Sequence, residues 1–203
     1  YDIAQCLVGS EMCIRDRTDA TGFTQVFDRS DAATRAREGL PERKEVLEGE
    51  EPPEKIQINE DGILYGVDVR MGHKTGFYVD QRDNRRLARQ LAETFRKVHG
   101  RGMRALNCFC YTGGFSLALA KGGAEEVISI DSSADALEMA KSNAKLNGFN
   151  ESQMKWVEAN VFEQLRKYRD AGEKFDLVIL DPPKFASSHH HLSLIHISEP
   201  TRH

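Results

Sequence analysis

No apolar run in the 203-residue chain approaches the ~18 residues that a membrane span requires. No N-terminal segment joins a basic region to an apolar one, so nothing reads as a signal peptide, and the expected compartment is the cytoplasm. Positive charge is not in excess: 28 Lys and Arg stand against 32 Asp and Glu, a net −4. That argues against a uniformly basic nucleic-acid coat and leaves room for a local basic patch. Cysteine is scarce, four in all. Cys108 and Cys110, two apart, are too close for an ordinary disulfide framework. They also lack a second pair with which to build a metal centre, so no metal is expected. Repeats and low-complexity segments are missing as well. What remains, 39% hydrophobic and 30% charged residues, suits one ordinary globular domain or two small ones.

The two ends read differently from the middle. Leu7–Asp16 is LVGSEMCIRD and Leu192–Arg202 is LSLIHISEPTR. The two strings are related through the genetic code. Reverse-complementing one back-translation of Ser193–Arg202 and reading it one base over gives LVGSEMCIR. Both resemble a translated transposon-type sequencing adapter. Residues 1–17 and 192–203 are therefore expected to be adapter-derived tails, outside fold reasoning, with Cys6 and Cys13 among them.

Between them, Phe23–Phe27 carries β-formers and reads as a strand. Ser30 is a candidate cap for a helix over Asp31–Glu38, closed by Gly39 and Pro41. Polar, acidic Glu42–Pro53 reads as an exposed connection. Lys55–Ile58 and Ile63–Val69 read as a hairpin around Asn59–Gly62. Gly76–Asp80 reads as a strand. The helix expected over Arg85–His99 places Leu87, Leu91, Phe95 and Val98 on one apolar face, with Gly100 and Gly102 as its stop. Eight basic and two acidic residues lie between Arg82 and Arg104. They form either a solvated face or a phosphate-facing patch.

Strands then alternate with helices, which implies a parallel sheet with right-handed crossovers. The first strand ends near Phe109 and its helix runs from about Gly114 to Lys121. Val127–Ile130 is the second strand, followed by a helix to Leu146 capped by Ser132 or Ser133, with Leu137, Ala140 and Ala144 as its inner face. Met154–Val157 leads to a helix through Tyr168, and Leu177–Leu180 is the fourth strand.

Chemistry concentrates at the strand ends. Cys110-Tyr-Thr-Gly-Gly114 lacks the full G-x-G-x-x-G of dinucleotide binders, yet its glycines suit a sharp turn that a ligand approaches. Asp131 ends the second strand, where a carboxylate can accept hydrogen bonds from both hydroxyls of a ribose. The amide of Asn160 could read an adenine edge, with Val161 or Phe162 covering the ring. Asp181-Pro-Pro-Lys-Phe185 is the specific element. Two prolines force the chain out of the sheet with a fixed shape. Asp181 can accept from an exocyclic amino group, and Phe185 can stack on a planar base.

GHKTGFYVDQRDNRR, LNCFCYTGGF, SIDSS and DLVILDPPKFASS together resemble the bacterial rRNA large-subunit cytosine-C5 methyltransferases. The resemblance implies an S-adenosylmethionine-dependent, Rossmann-like α/β domain. It divides the chain into a small central α+β domain over 18–83 and a partial methyltransferase domain over 84–191, with an RNA-binding PUA domain expected upstream. It implies cofactor binding by Asn107, Phe109, Tyr111, Thr112, Gly113, Gly114 and Phe115 in the first turn. Asp131, Ser132, Asn160, Val161 and Asp181 join them, with Tyr78, Asp80 and Arg82 from the preceding stretch. Asp181, Pro182 and Phe185 would serve the target base.

The implied activity is methylation of a base in 23S rRNA, most simply C5 of cytosine. A thiolate adding at C6 makes C5 nucleophilic, a base removes the C5 proton, and the thiol leaves. The target must be single-stranded or flipped out. In the family the nucleophilic cysteine lies on a later motif, so this stretch by itself is expected to be incomplete and inactive. Cys108 and Cys110 read instead as small residues filling a tight turn. Two alternatives stand beside this reading: methylation of another rRNA base, of the guanine N7 type, and a nucleotide-binding oxidoreductase domain. The partner is ribosomal RNA, with no membrane.

Overall fold

The computed structural model describes residues 20, 22, 24–30, 39–41, 43–72 and 76–182. Both expected tails, the helix expected over Asp31–Glu38, and Phe185 lie outside the described residues. The chain forms two compact units. One comprises residues up to Ile56 together with Val67–Phe77, and the other comprises Gln57–Gly66 and Tyr78 onward.

In the first unit, β1 (Val26–Ser30) pairs antiparallel with β2 (Arg43–Glu48). The strand therefore starts three residues later than its β-formers suggest, and the stretch read as an exposed connection supplies its partner. Charged residues on both faces hide such a ribbon from periodicity, because neither face is consistently apolar.

A hairpin follows, β3 (Ile56–Glu60) and β4 (Ile63–Val67), whose Gln57–Gly66 stretch belongs to the second unit. Its two-residue turn puts Asp61 and Gly62 at φ 52° and 80°. Left-handed φ at both central positions is the turn that matches strand twist. Asn59 Oδ1 accepts the Gly62 N–H at 3.0 Å.

The strand expected over Gly76–Asp80 is not formed. Val79–Gln81 is a 3-10 turn running directly into α1 (Arg82–His99). Two donors converge on the Tyr78 carbonyl, the Gln81 N–H at 3.2 Å and Arg85 Nη1 at 2.8 Å. That carbonyl faces the helix and offers nothing to a neighbouring strand.

Helix α1 also turns the other way from its apolar periodicity. Leu87, Leu91 and Val98 are 53%, 44% and 71% exposed, while Arg85, Ala88 and Ala92 are buried. The reason is close approach. A Cβ on Gly122 would lie 2.4 Å from the Arg89 carbonyl and 2.8 Å from the Ala92 Cβ. Only small residues fit between α1 and the end of α2 (Gly114–Lys121).

The expected parallel sheet is present, in the order β7-β6-β5-β8 among the described residues. Its strands are β5 (Arg104–Cys108), β6 (Glu126–Asp131), β7 (Met154–Glu158) and β8 (Leu177–Leu180). Between them run α2, α3 (Ala134–Leu146) and α4 (Val161–Asp170). One face holds Leu106, Cys108, Ile128, Ile130 and Val161, with Leu165 and Tyr168 of α4 packed against them. On the other face Asn107 Nδ2 donates to Ser116 Oγ at 2.8 Å, and Ser116 shares a 2.7 Å hydrogen bond with Ser129. This buried polar chain stitches α2 to the two central strands.

Most of the basic run between Arg82 and Arg104 is consumed internally. Arg82 and Arg86 pair with Asp61, and Arg85 with Glu60. Arg89 pairs with Glu93, Arg101 with Asp176, and Arg104 with Glu126 and Glu173. The hairpin tip is thus clamped by arginines at i, i+3 and i+4 of one helix. Arg82, Arg86 and Arg101 nevertheless keep about half of their side-chain surface exposed.

Candidate functional site

Register builds the site. Cys108 sits opposite Ile130 on one side and Leu180 on the other. The next residue of each strand is Phe109, Asp131 and Asp181, so these three lie level at the carboxyl edge of the sheet. Open parallel sheets bind ligands at that edge, in the crevice where strand order reverses. Here β6 lies to one side of β5 and β8 to the other.

The turn between β5 and α2 is strained. Phe109, Tyr111 and Gly113 have φ of 59°, 50° and 83°. A non-glycine residue in that region costs about 1–2 kcal/mol, so the surrounding structure must hold it. Hydrogen bonds do so: the Cys110 N–H donates to the Ile130 carbonyl at 3.0 Å, the Tyr111 N–H to Asp131 Oδ2 at 2.8 Å, and the Gly113 N–H to the Cys110 carbonyl at 2.9 Å. Gly113 is also sterically required, since a Cβ there would come within 2.9 Å of the Trp156 ring and 3.1 Å of the Ala140 Cβ. The first N–H groups of α2 lie at its head, with the partial positive charge of a helix start.

Asp131 is oriented by two backbone donors. Besides the Tyr111 N–H, the Ser133 N–H reaches Oδ1 at 3.0 Å. Each oxygen retains a second lone pair for a ligand hydroxyl. Ser132 is exposed beside it. The helix cap is Ser133, whose Oγ accepts the Ala136 N–H at 3.2 Å.

Tyr78 stands edge-on to Tyr111, with ring centroids 5.5 Å apart at 87°. Burial pushes its phenol above the usual range, and nearby Tyr111, Asp181, Asp80 and Asp131 add to the shift, so it stays protonated among three carboxylates. Asp80 is exposed on the 3-10 turn. Asp181 and Pro182 are exposed just past β8. Thr112, Gly114 and Phe115 complete the turn and the first residues of α2 in half-buried positions.

Three expected cofactor residues have side chains engaged within the protein. Asn107 is 1% exposed and bonded to Ser116, beneath the turn and not on its surface. Val161 is 3% exposed, in the core under the sheet. Arg82 lies 3.5 Å from Asp61 at the hairpin tip. Asn160 is at the edge but serves as the cap of α4, its Oδ1 accepting from the N–H groups of Phe162 and Glu163. Its side-chain NH2 donors are what it can offer a ligand. Phe162, and not Val161, is the exposed apolar neighbour at 44%, its ring 5.6 Å from that of Phe109.

Cys108 and Cys110 are both buried. Desolvation pushes the Cys108 thiol up to about 11 and that of Cys110 well above its ordinary value, with Asp131 adding to the latter. Both are neutral thiols, poor nucleophiles.

Residue spacing did not single out Asn143 or the Arg85–Glu60 pair. Arg85 is 4% exposed, with Nε 2.6 Å from Glu60 Oε1 and Nη2 2.8 Å from Oε2. The available signal for both was a polar side chain on an otherwise small or apolar helix face.

The chain is 51% identical over 164 residues to Ribosomal RNA large subunit methyltransferase I of Aeromonas hydrophila subsp. hydrophila, a match covering 80% of this chain and 39% of that protein. Its identity to the same-named protein of Photobacterium profundum is 51% over 163 residues, with equal coverage. The chain thus spans about two-fifths of the length of these curated relatives. Among solved structures, SMU.776 complexed with SAH superposes with a TM-score of 0.62 at 32% identity, over 70% of this chain and 36% of that one. A SAM-dependent methyltransferase from Streptococcus mutans gives 0.72 at 25% identity, over 90% and 46%. The family described as S-adenosylmethionine-dependent methyltransferase matches residues 34–196. A match over so much of the chain, on a parallel sheet whose strand ends carry the strained turn and Asp131, places the protein in the S-adenosylmethionine-dependent methyltransferase family.

Proposed function

We propose that this chain carries the cofactor half of an enzyme that methylates a base of large-subunit ribosomal RNA, C5 of a cytosine in 23S rRNA being the preferred target. The observation that carries the cofactor reading is the turn Phe109–Gly114. Its left-handed residues and close-packed Gly113 leave a backbone cradle beside an oriented carboxylate. The donor set fits S-adenosylmethionine. The α2 N–H groups suit the methionine carboxylate, Asp131 the ribose hydroxyls, and the Asn160 amide with Phe162 the adenine. When bound, that group supplies an electrophilic methyl on a sulfonium. Tyr78 and Tyr111 can offer ring faces to a cation.

Asp181, held at the strand end by Pro182, accepts from the amino edge of the target base and fixes its orientation. A cytosine-C5 reaction also needs a thiolate. Neither Cys108 nor Cys110 provides one, and we assign that role to a part of the enzyme represented in the much longer relatives. The RNA target rests on the names of those relatives and on the Asp181-Pro182 strand end. The division into a small domain over 18–83 and a methyltransferase domain over 84–191, flanked by adapter-derived tails, belongs to the same proposal.

Calorimetry of the chain with S-adenosylmethionine and with NAD tests the cofactor. Heat with the first alone is expected, and binding of NAD alone overturns the reading. Nucleoside digestion of large-subunit rRNA labelled by the enzyme tests the base: 5-methylcytidine is expected. The buried state of both described cysteines favours one second reading, transfer to a ring nitrogen that needs no covalent nucleophile. N7-methylguanosine in the digest would support it.

A further inference from the structure

Helix α3 presents two asparagines one turn apart to the β3–β4 hairpin, and they behave differently. Asn147 brackets one residue as a strand partner would: Oδ1 accepts the Leu64 N–H at 2.8 Å and Nδ2 donates to the Leu64 carbonyl at 2.7 Å. Asn143, 1% exposed, faces two ways. Its Oδ1 accepts the Gly66 N–H at 2.8 Å, while Nδ2 donates to the Thr112 carbonyl at 3.3 Å. The same peptide unit is held at its other end, where the Gly113 N–H donates to the Cys110 carbonyl at 2.9 Å. Ala140, three residues before Asn143, lies against the α-carbon of Gly113, 3.1 Å from where a Cβ would stand.

We propose that Asn143 is a positioning residue for the cofactor turn. It couples the hairpin to the Thr112–Gly113 peptide and fixes the plane of that peptide. A peptide held at both carbonyl and N–H cannot rotate, so the following N–H groups at the head of α2 keep their heading. The proposal rests on the reading that this turn receives the methionine end of S-adenosylmethionine. Asn143 touches no reacting atom; it acts through the backbone of Thr112.

The test compares dissociation constants for S-adenosylmethionine and melting temperatures in the wild type, Asn143→Ala, Asn143→Asp and Asn147→Ala. Loss of one buried hydrogen bond that shapes the site is expected to weaken binding about five- to tenfold in Asn143→Ala. Asn147→Ala loses hairpin bonds but none to the turn. It is expected to lower the melting temperature comparably and leave the dissociation constant within twofold. Asn143→Asp adds a pH signature. A protonated carboxyl can still donate to the Thr112 carbonyl, whereas an ionised one cannot, and burial raises the pKa of the introduced acid. Measured against the wild type at each pH, its affinity is expected near wild type at pH 6 and to fall progressively behind it as pH rises to 9. Wild-type affinity in Asn143→Ala overturns the proposal, even if Asn143→Asp fails to fold. An equal loss of affinity in Asn147→Ala overturns it too, by showing general destabilisation. Failure of the wild-type chain to bind is a different result and contradicts the cofactor reading itself.

Discussion

The backbone N–H of Tyr111 lies 2.8 Å from Asp131 Oδ2, so one carboxylate both anchors a left-handed residue and faces the strand-end crevice. The strain of the turn and the orientation of the acid are one interaction. Asp131→Ala removes the anchor and the ribose acceptor together. A hydrogen bond to a charged group contributes about 1.5–3 kcal/mol. The expected outcome is a loss of that order in urea unfolding and of more than tenfold in S-adenosylmethionine affinity. An affinity loss with unchanged stability would mean that Tyr111 is held by something else.

Gly113→Ala should be far more damaging than Gly100→Ala, although both glycines have positive φ, 83° and 67°. At Gly100 an added Cβ meets nothing within 4 Å, and only the left-handed backbone cost of about 1–2 kcal/mol applies. At Gly113 the clash with Trp156 and Ala140 adds overpacking of about 1–3 kcal/mol. Denaturant midpoints of the two variants check this.

The buried face of α1 predicts opposite outcomes for adjacent residues. Leu91→Gln, on the exposed side, should change stability by no more than about 0.5 kcal/mol. Ala92→Leu should cost about 1–3 kcal/mol, because its Cβ lies only 2.8 Å from where a Cβ on Gly122 would stand. If Leu91→Gln were the costly one, the helix would be rotated from the face described above.

Asp176 holds Arg101 at 2.7 Å and 2.8 Å and also accepts the Arg104 N–H. The Arg101 guanidinium lowers its carboxyl to about 2. A carboxylate depressed on folding contributes stability above its unfolded pKa, near 4, and loses it as pH falls towards the folded value. The stability gap between wild type and Asp176→Asn is therefore expected in full at pH 6 and mostly gone by pH 2. Urea titrations at pH 6, 4, 3 and 2 would show it, and a gap independent of pH would rule the mechanism out.

Elements whose signal is local were readable from residues alone. Val127–Ile130 is buried on both faces, so its run is apolar but for Ser129, and Asp131 marks its end. Helix α3 ends at Leu146, as expected. What failed depended on neighbours. The large apolar residues of α1 face outward because α2 comes too close for anything but alanine. Gly76–Asp80 has a strand's composition, but Arg85 captures the Tyr78 carbonyl from within the following helix. At the site, Asp131 and the glycine turn were legible because strand-end acids and glycines have position-specific roles. Asn107 and Val161 were not, since motif membership does not distinguish a residue on the turn from one beneath it.

The level register of Phe109, Asp131 and Asp181 sets which sequence changes the site can absorb. Substitution at any one position alters the contacts of that residue alone and leaves the other two strand ends in place. Insertion of a single residue in β5, β6 or β8 would displace that strand's terminal group by about 3.3 Å and turn it to the opposite face. Added residues are therefore expected to be tolerated in segments such as the 171–175 connection, at the amino edge of the sheet, and not in the strands that end at the site.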